Sequence, residues 1–221
     1  MPLAPLIPRL VAIAILAVAY VAMTIAMTAG LFTALDLQVA HAMHTAWQPG
    51  LHGLFQLIAE LGGVELTTIV MVGLFFYLLR GGFRSDALVV LVFIAANALE
   101  FFYKYTLYHP GPPRSLAQTD GPSLTHGLVG QTLFNSFPSG HVIRAVVAYG
   151  LIAFVVRRLA PSAVARALAV PVATVVIVLV SFDRIYLDVH WETDVIGGLI
   201  LGAIALLAGT VWLDRPIKPE N

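Results

Sequence analysis

The chain has 221 residues, of which 59% are apolar and 11% charged, with twelve basic side chains balancing twelve acidic ones. A soluble domain carries about 25% charged residues, so this chain cannot cover a water-facing surface, and its zero net charge gives a nucleic-acid partner no electrostatic support. Without cysteine it can form no disulfide, thiolate metal site or cysteine nucleophile, and a mean hydropathy of +0.90 points to a bilayer as its solvent.

A bilayer core takes about 20 apolar residues per helix, and six stretches approach that length. The first, residues 10–32, holds no charge and reads as a retained span rather than a cleaved leader. Residues 33–60 carry Leu51, Leu54, Phe55 and Ile58 at i, i+3, i+4 and i+7. That spacing predicts an amphipathic helix lying at the membrane surface between spans one and two. The second span covers residues 61–79, with Glu65 near its start, and the third covers 87–105, with Glu100 and Lys104 towards its end. Residues 106–137, rich in Gly, Pro, Ser and Thr, read as a structured loop, and a loop of that length usually has a task. The fourth span opens at Pro138 and runs to Val156, and the fifth covers 163–182 with Pro171 inside it. The sixth runs from about His190 to Leu213. The alternation of a membrane barrel is missing. The expected fold is an all-α, six-helix transmembrane bundle, a single domain over residues 1–221.

Basic residues orient such a bundle. Arg9, Arg80, Arg84, Arg157, Arg158, Arg166, Arg215 and Lys218 fall on one side, against Lys104, Arg114 and Arg184 on the other. The bias predicts cytoplasmic termini, with the loops before spans two, four and six facing outward. Charges in a bilayer are costly, yet Lys104, His141, Arg184, His190 and Asp194 all gather at span ends on that outer side. Cations and imidazoles collected on one face suit an anion.

The stretch Pro138-Ser139-Gly140-His141 opens a helix. First-turn N–H groups lack intrahelical partners and, with the helix dipole, cradle an anion. Ser139 adds a hydroxyl, Gly140 lets a ligand approach the backbone, and His141 adds an imidazole. A plain Pro-Ser cap beside an interfacial histidine is the other reading of these residues alone. Asp194 lies four residues after His190, on one helix face. Its carboxylate can fix the ring tautomer and leave the other nitrogen free to attack. Arg184, across a short loop, can hold two phosphate oxygens. A capping His–Asp pair with a snorkelling Arg is the alternative there.

Together these segments resemble the type 2 phosphatidic acid phosphatase family. Its P-S-G-H signature is intact at residues 138–141, and Arg184, His190 and Asp194 hold the spacing of S-R-x5-H-x3-D, with Asp183 in the Ser position. The K-x6-R-P signature is partial: Lys104 is present, but Gly111-Pro112 stands where Arg-Pro is expected. Arg114 is the nearby candidate to replace the missing arginine.

The resemblance covers residues 100–200. It implies a metal-independent lipid phosphatase without cofactor, acting on a lipid phosphate or diphosphate at the outer membrane face. His190 is then the nucleophile that forms a phosphohistidine, Asp194 orients it, and His141 handles the proton. Lys104, Ser139, Gly140, Arg184 and Arg114 would hold phosphate oxygens. A polyprenyl diphosphate or a phospholipid phosphate fits better than a soluble sugar phosphate. A lipid phosphotransferase using the same site, or a non-catalytic lipid-binding or transport protein, are the competing classes.

Other residues carry smaller expectations. Arg144 should turn inward to pair with Glu100 or Asp194, or else contact phosphate, while Glu100 and Lys104 suit an i, i+4 ion pair. His41 and His44 share a face near Asp36 without a clear third metal ligand. His109 could touch the substrate, and His126 reads as a solvated loop residue. Trp191 suits an interfacial anchor. Gly198 and Gly202 permit close helix packing, read here as intramolecular.

Overall fold

The computed structural model describes residues 6–112 and 135–215. Arg114, His126 and Lys218 lie outside the described residues. Helices dominate what is described: α1 (Ile7–Thr28), α2 (Thr33–Ala46), α3 (Pro49–Glu60), α4 (Val64–Arg80), α5 (Arg84–Ala87), α6 (Val90–Thr106), α7 (Gly140–Leu159), α8 (Ala163–Tyr186) and α9 (Glu192–Leu213). The all-helical expectation holds.

Among the described residues, five helical stretches are long and apolar enough to cross a bilayer: Ile7–Thr28, Pro49–Arg80, Arg84–Thr106, Ala163–Tyr186 and Glu192–Leu213. Helix α7, the expected fourth span, falls outside that group. Its 20 residues include Arg144, Arg157 and Arg158. It sits at the centre of the bundle, with Val142, Ile143, Ala145, Val147, Ala148 and Leu151 fully buried. A helix wrapped in protein does not need a lipid-facing surface, so it can carry Arg144 inward. By contrast α1 exposes Ile15, Val18 and Ile25, the mark of a helix facing hydrocarbon.

Residues 33–60 form two helices rather than the one expected. Pro49 sits in the first turn of α3 and starts it afresh, and α3 continues, after a turn at residues 61–63, into α4. Helix α8 extends four residues past its expected end and takes Arg184 into its last turn.

Small residues bring α9 onto α7. A Cβ on Gly198 would fall 2.7 Å from the Ser139 carbonyl, and one on Gly202 would fall 2.8 Å from Val146 Cβ. The G-x-x-x-G pair therefore packs within the chain, as expected. At the end remote from these first turns, Arg9 pairs with Asp214 at 2.6 Å and Arg158 with Asp86 at 3.2 Å. Arg158 also donates to the Leu213 carbonyl at 2.6 Å, placing a cation where the C-terminus of α9 is electronegative.

Candidate active site

Motif residues from four segments converge where α6 ends and α7 and α9 begin. The backbone N–H of Ser139 donates to the Asp194 carbonyl at 3.0 Å, which joins the second and third motifs directly. Phe137, fully buried, stacks on Tyr20 with ring centroids 5.8 Å apart and wedges the entry to α7. The Phe137–Pro138 peptide is cis. Ser139 is buried, and its Oγ has no hydrogen-bond partner among the described residues. An unspent hydroxyl at a helix N-terminus is suited to an incoming anion oxygen.

His190 lies just before α9 rather than inside it, because the helix starts at Glu192. The chain reaches it through Asp188, whose φ of 55° is left-handed, a conformation Asp tolerates better than most residues. The backbone N–H groups of Val189 and His190 both donate to the Arg184 carbonyl at 3.3 Å. The expected contact nevertheless forms: His190 Nδ1 lies 3.2 Å from Asp194 Oδ2. That same oxygen accepts the Trp191 N–H at 2.9 Å and so caps α9. The Asp194 side chain is fully buried and that of His190 is 10% exposed. Burial pulls the His190 imidazole below its ordinary value, outweighing the opposing pull of Asp194. A neutral imidazole with one nitrogen held by a carboxylate has its second nitrogen available as a nucleophile.

The cations come with carboxylates already attached. Lys104 Nζ lies 2.9 Å from Glu100 Oε1, and Arg144 Nη1 lies 2.8 Å from Glu100 Oε2. Glu100, not Asp194, is thus the partner of Arg144. Arg144 Nε donates to the Gly62 carbonyl at 3.0 Å, and its Nη2 stands 3.5 Å from His141 Nδ1. Arg184, 1% exposed, donates through Nε to Asp183 Oδ2 at 2.7 Å. Asp183 is the residue that replaces the serine of the third signature. Gly140 corrects one expectation: the space over its Cα is taken by the Glu100 carboxylate, so it admits a protein side chain there rather than a ligand.

Three contributors were not singled out from sequence as parts of this site. Asp36 on α2 accepts the Thr193 N–H at 3.0 Å and the Thr193 hydroxyl at 2.8 Å, pinning the first turn of α9. Burial raises the Asp36 carboxyl above its usual range. Asn135 donates to the Lys104 carbonyl at 2.8 Å and accepts the His109 N–H at 2.8 Å. Trp191, expected as an interfacial anchor, donates its indole N–H to the Pro110 carbonyl at 2.8 Å. Among the described residues no group of three His, Asp or Glu side chains could hold a metal ion, and His41 and His44 gather no third ligand.

The profile of the PAP2 superfamily matches residues 86–218, the stretch that carries every motif residue above. The chain belongs to the PAP2 superfamily. It is 32% identical over 174 residues to phosphatidylglycerophosphatase B of Bacillus subtilis strain 168, covering 76% of this chain and 78% of that protein. It is 29% identical over 133 residues to a protein of Escherichia coli strain K12 provisionally named undecaprenyl-diphosphatase YbjG, covering 59% of this chain and 61% of that one. Its fold matches the crystal structure of the transmembrane PAP2 type phosphatidylglycerolphosphate phosphatase from Bacillus subtilis. The TM-score is 0.74 at 26% identity, over 93% of this chain and 98% of the other. The chain is accordingly a PAP2-type lipid phosphatase of the membrane.

Proposed function

We propose that this PAP2 enzyme hydrolyses a phospholipid phosphate or a polyprenyl diphosphate through a phosphohistidine on His190. The observation that carries the reading is the contact of His190 Nδ1 with Asp194 Oδ2 at 3.2 Å, set beside the buried, unpartnered Ser139 Oγ at the start of α7. Names of relatives support the substrate class: one is a phosphatidylglycerophosphatase, another is named for undecaprenyl diphosphate.

His190 Nε2 attacks phosphorus as the bond to the lipid oxygen breaks, and His141 supplies the proton that the leaving oxygen needs. Water then attacks phosphorus and gives its proton to His141, the P–N bond breaks, and inorganic phosphate leaves. Asp194 stabilises the positive charge that His190 gains on phosphorylation. Lys104 and Arg184 loosen from Glu100 and Asp183 to take non-bridging oxygens, with Ser139 and the Gly140 N–H beside them. Arg114 belongs to the same expected set. These groups place fixed positive charge where a metal ion would otherwise be needed. The distribution of basic residues favours cytoplasmic termini, a sixth crossing by α7 and a site at the outer face. A headgroup phosphate there reaches the site while its tails stay in lipid.

The test is phosphate release by purified protein in detergent with EDTA present. The panel holds phosphatidylglycerophosphate, phosphatidic acid and a polyprenyl diphosphate, with His190→Ala as the control. Release from one of them that vanishes in His190→Ala is the expected result. Equal release by the variant would overturn the mechanism.

A further inference from the structure

His109 occupies a variable position of the first signature, yet its Nε2 lies 3.4 Å from Asp194 Oδ1. Both atoms are buried and neither makes a hydrogen bond among the described residues, so the 3.4 Å approach is a close polar contact just short of one. Leaving a buried donor and a buried carboxylate oxygen unsatisfied is costly, and here each is the other's nearest answer. The two Asp194 oxygens are divided: Oδ2 takes His190 Nδ1 and the Trp191 N–H, while Oδ1 faces His109.

The ring is held there from several sides. The His109 N–H donates to Asn135 Oδ1 at 2.8 Å, and its carbonyl accepts the Ser136 N–H at 2.8 Å. Its ring meets Phe137 edge-on, with centroids 6.3 Å apart and planes at 87°. The next residue, Pro110, accepts the Trp191 indole at 2.8 Å. The segment in which the arginine of the first signature is replaced by Gly111 is thus fastened to the loop that carries His190.

We infer that His109 is a positioning residue for the nucleophile, completing a His190–Asp194–His109 relay. With a proton on Nε2, His109 donates to Oδ1 and stops the carboxylate rotating, so that Oδ2 stays in line with His190 Nδ1–H. It also lowers the basicity of the carboxylate, which leaves the proton on His190 Nδ1 and the lone pair on Nε2. His109 forms no bond to phosphorus and acts only through Asp194. The inference rests on His190 being the nucleophile, as proposed above.

The test uses the full chain in detergent with phosphatidylglycerophosphate or, if that is not turned over, the polyprenyl diphosphate. Wild type is compared with His109→Gln, whose amide N–H can stand where Nε2 stands, and His109→Asn, which is too short to reach. Melting in detergent confirms that both are folded. Loss of the hydrogen bond should lower kcat about tenfold in His109→Asn with KM little changed, and His109→Gln should recover most of it. Burst formation of phosphohistidine should slow in parallel. In an Asp194→Asn background the Gln–Asn difference should disappear, because both act on one contact.

A Gln–Asn difference that persists at full size without the Asp194 carboxylate would overturn the inference. So would equal kcat in the two variants, or a change confined to KM. Activity surviving in His190→Ala would instead sink the nucleophile assignment itself, and that control separates the two failures.

Discussion

The carboxylate of Glu100 lies against the Cα of Gly140, in the space where any other residue would carry its Cβ. The same carboxylate receives Lys104 at 2.9 Å and Arg144 at 2.8 Å. One buried acid on α6 therefore ties Lys104 to the first turn of α7, where Ser139 and His141 stand. The missing side chain at Gly140 makes that junction possible.

Gly140→Ala should displace Glu100 and loosen both of its cations. Overpacking of this kind costs about 1–3 kcal/mol, and the loss should appear as a lower melting temperature together with a large fall in kcat/KM. Adding Glu100→Ala relieves the overlap, so the double variant should melt no lower than the sum of the single losses predicts. A Gly140→Ala protein with wild-type turnover and stability would show that the junction tolerates a Cβ.

Arg144 and Glu100 have side chains only 6% and 5% exposed. Arg144→Ala leaves Glu100 with Lys104 as its remaining cation and takes the donor from the Gly62 carbonyl, so it should destabilise by about 1–3 kcal/mol. Detergent unfolding followed by tryptophan fluorescence measures this; a change below about 1 kcal/mol is the size of a surface pair and would contradict the burial argument.

The acid limb of the rate profile should report His190. Burial lowers its imidazole below the ordinary value, which is about 6.5. Attack needs the neutral ring, so the acid limb of kcat/KM should fall as pH drops through that lowered value. Stability follows the same direction: between the two values the unfolded chain binds more protons, so this contribution is present above about 6.5 and is lost as pH falls. An acid limb centred above pH 7 would contradict the assignment.

Asp36 caps α9 from another helix, through Thr193. Asp36→Ala should cost about 1 kcal/mol, the usual worth of an N-terminal cap, and should also lower kcat, because the capped turn carries Asp194. Asp36→Asn keeps an acceptor for the Thr193 N–H and should be milder on both measures. Equal effects from the two substitutions would mean that the charge matters more than the cap.

Chelation should leave turnover unchanged, since Lys104, Arg184 and the α7 N-terminus place positive charge at the site. Dialysis against EDTA followed by assay checks this; loss of activity restored by a divalent cation would contradict a metal-independent mechanism.

Much of the site was legible along the chain because its contacts are local. The i, i+4 pairs Glu100–Lys104 and His190–Asp194 both form, at 2.9 and 3.2 Å. The G-x-x-x-G pair packs as its spacing suggests. The second pair forms even though His190 lies outside α9, because the Trp191 turn keeps it one turn from Asp194. The role of α7 was harder to read. An apolar run does not say whether lipid or protein surrounds it, and protein does.

What the sequence by itself determined is the membrane class, the helical fold and the set of titratable side chains gathered near helix ends: length, apolar content and near-neighbour spacing suffice for these. What only the tertiary structure decided are the partners across helices. Arg144 chose Glu100. Asp36 reached Thr193 across 157 positions of chain, and His109 met the far oxygen of Asp194. Such contacts depend on the rotation and depth of each helix against its neighbours. Those are set by the packing of whole surfaces, and no spacing within a single helix records them.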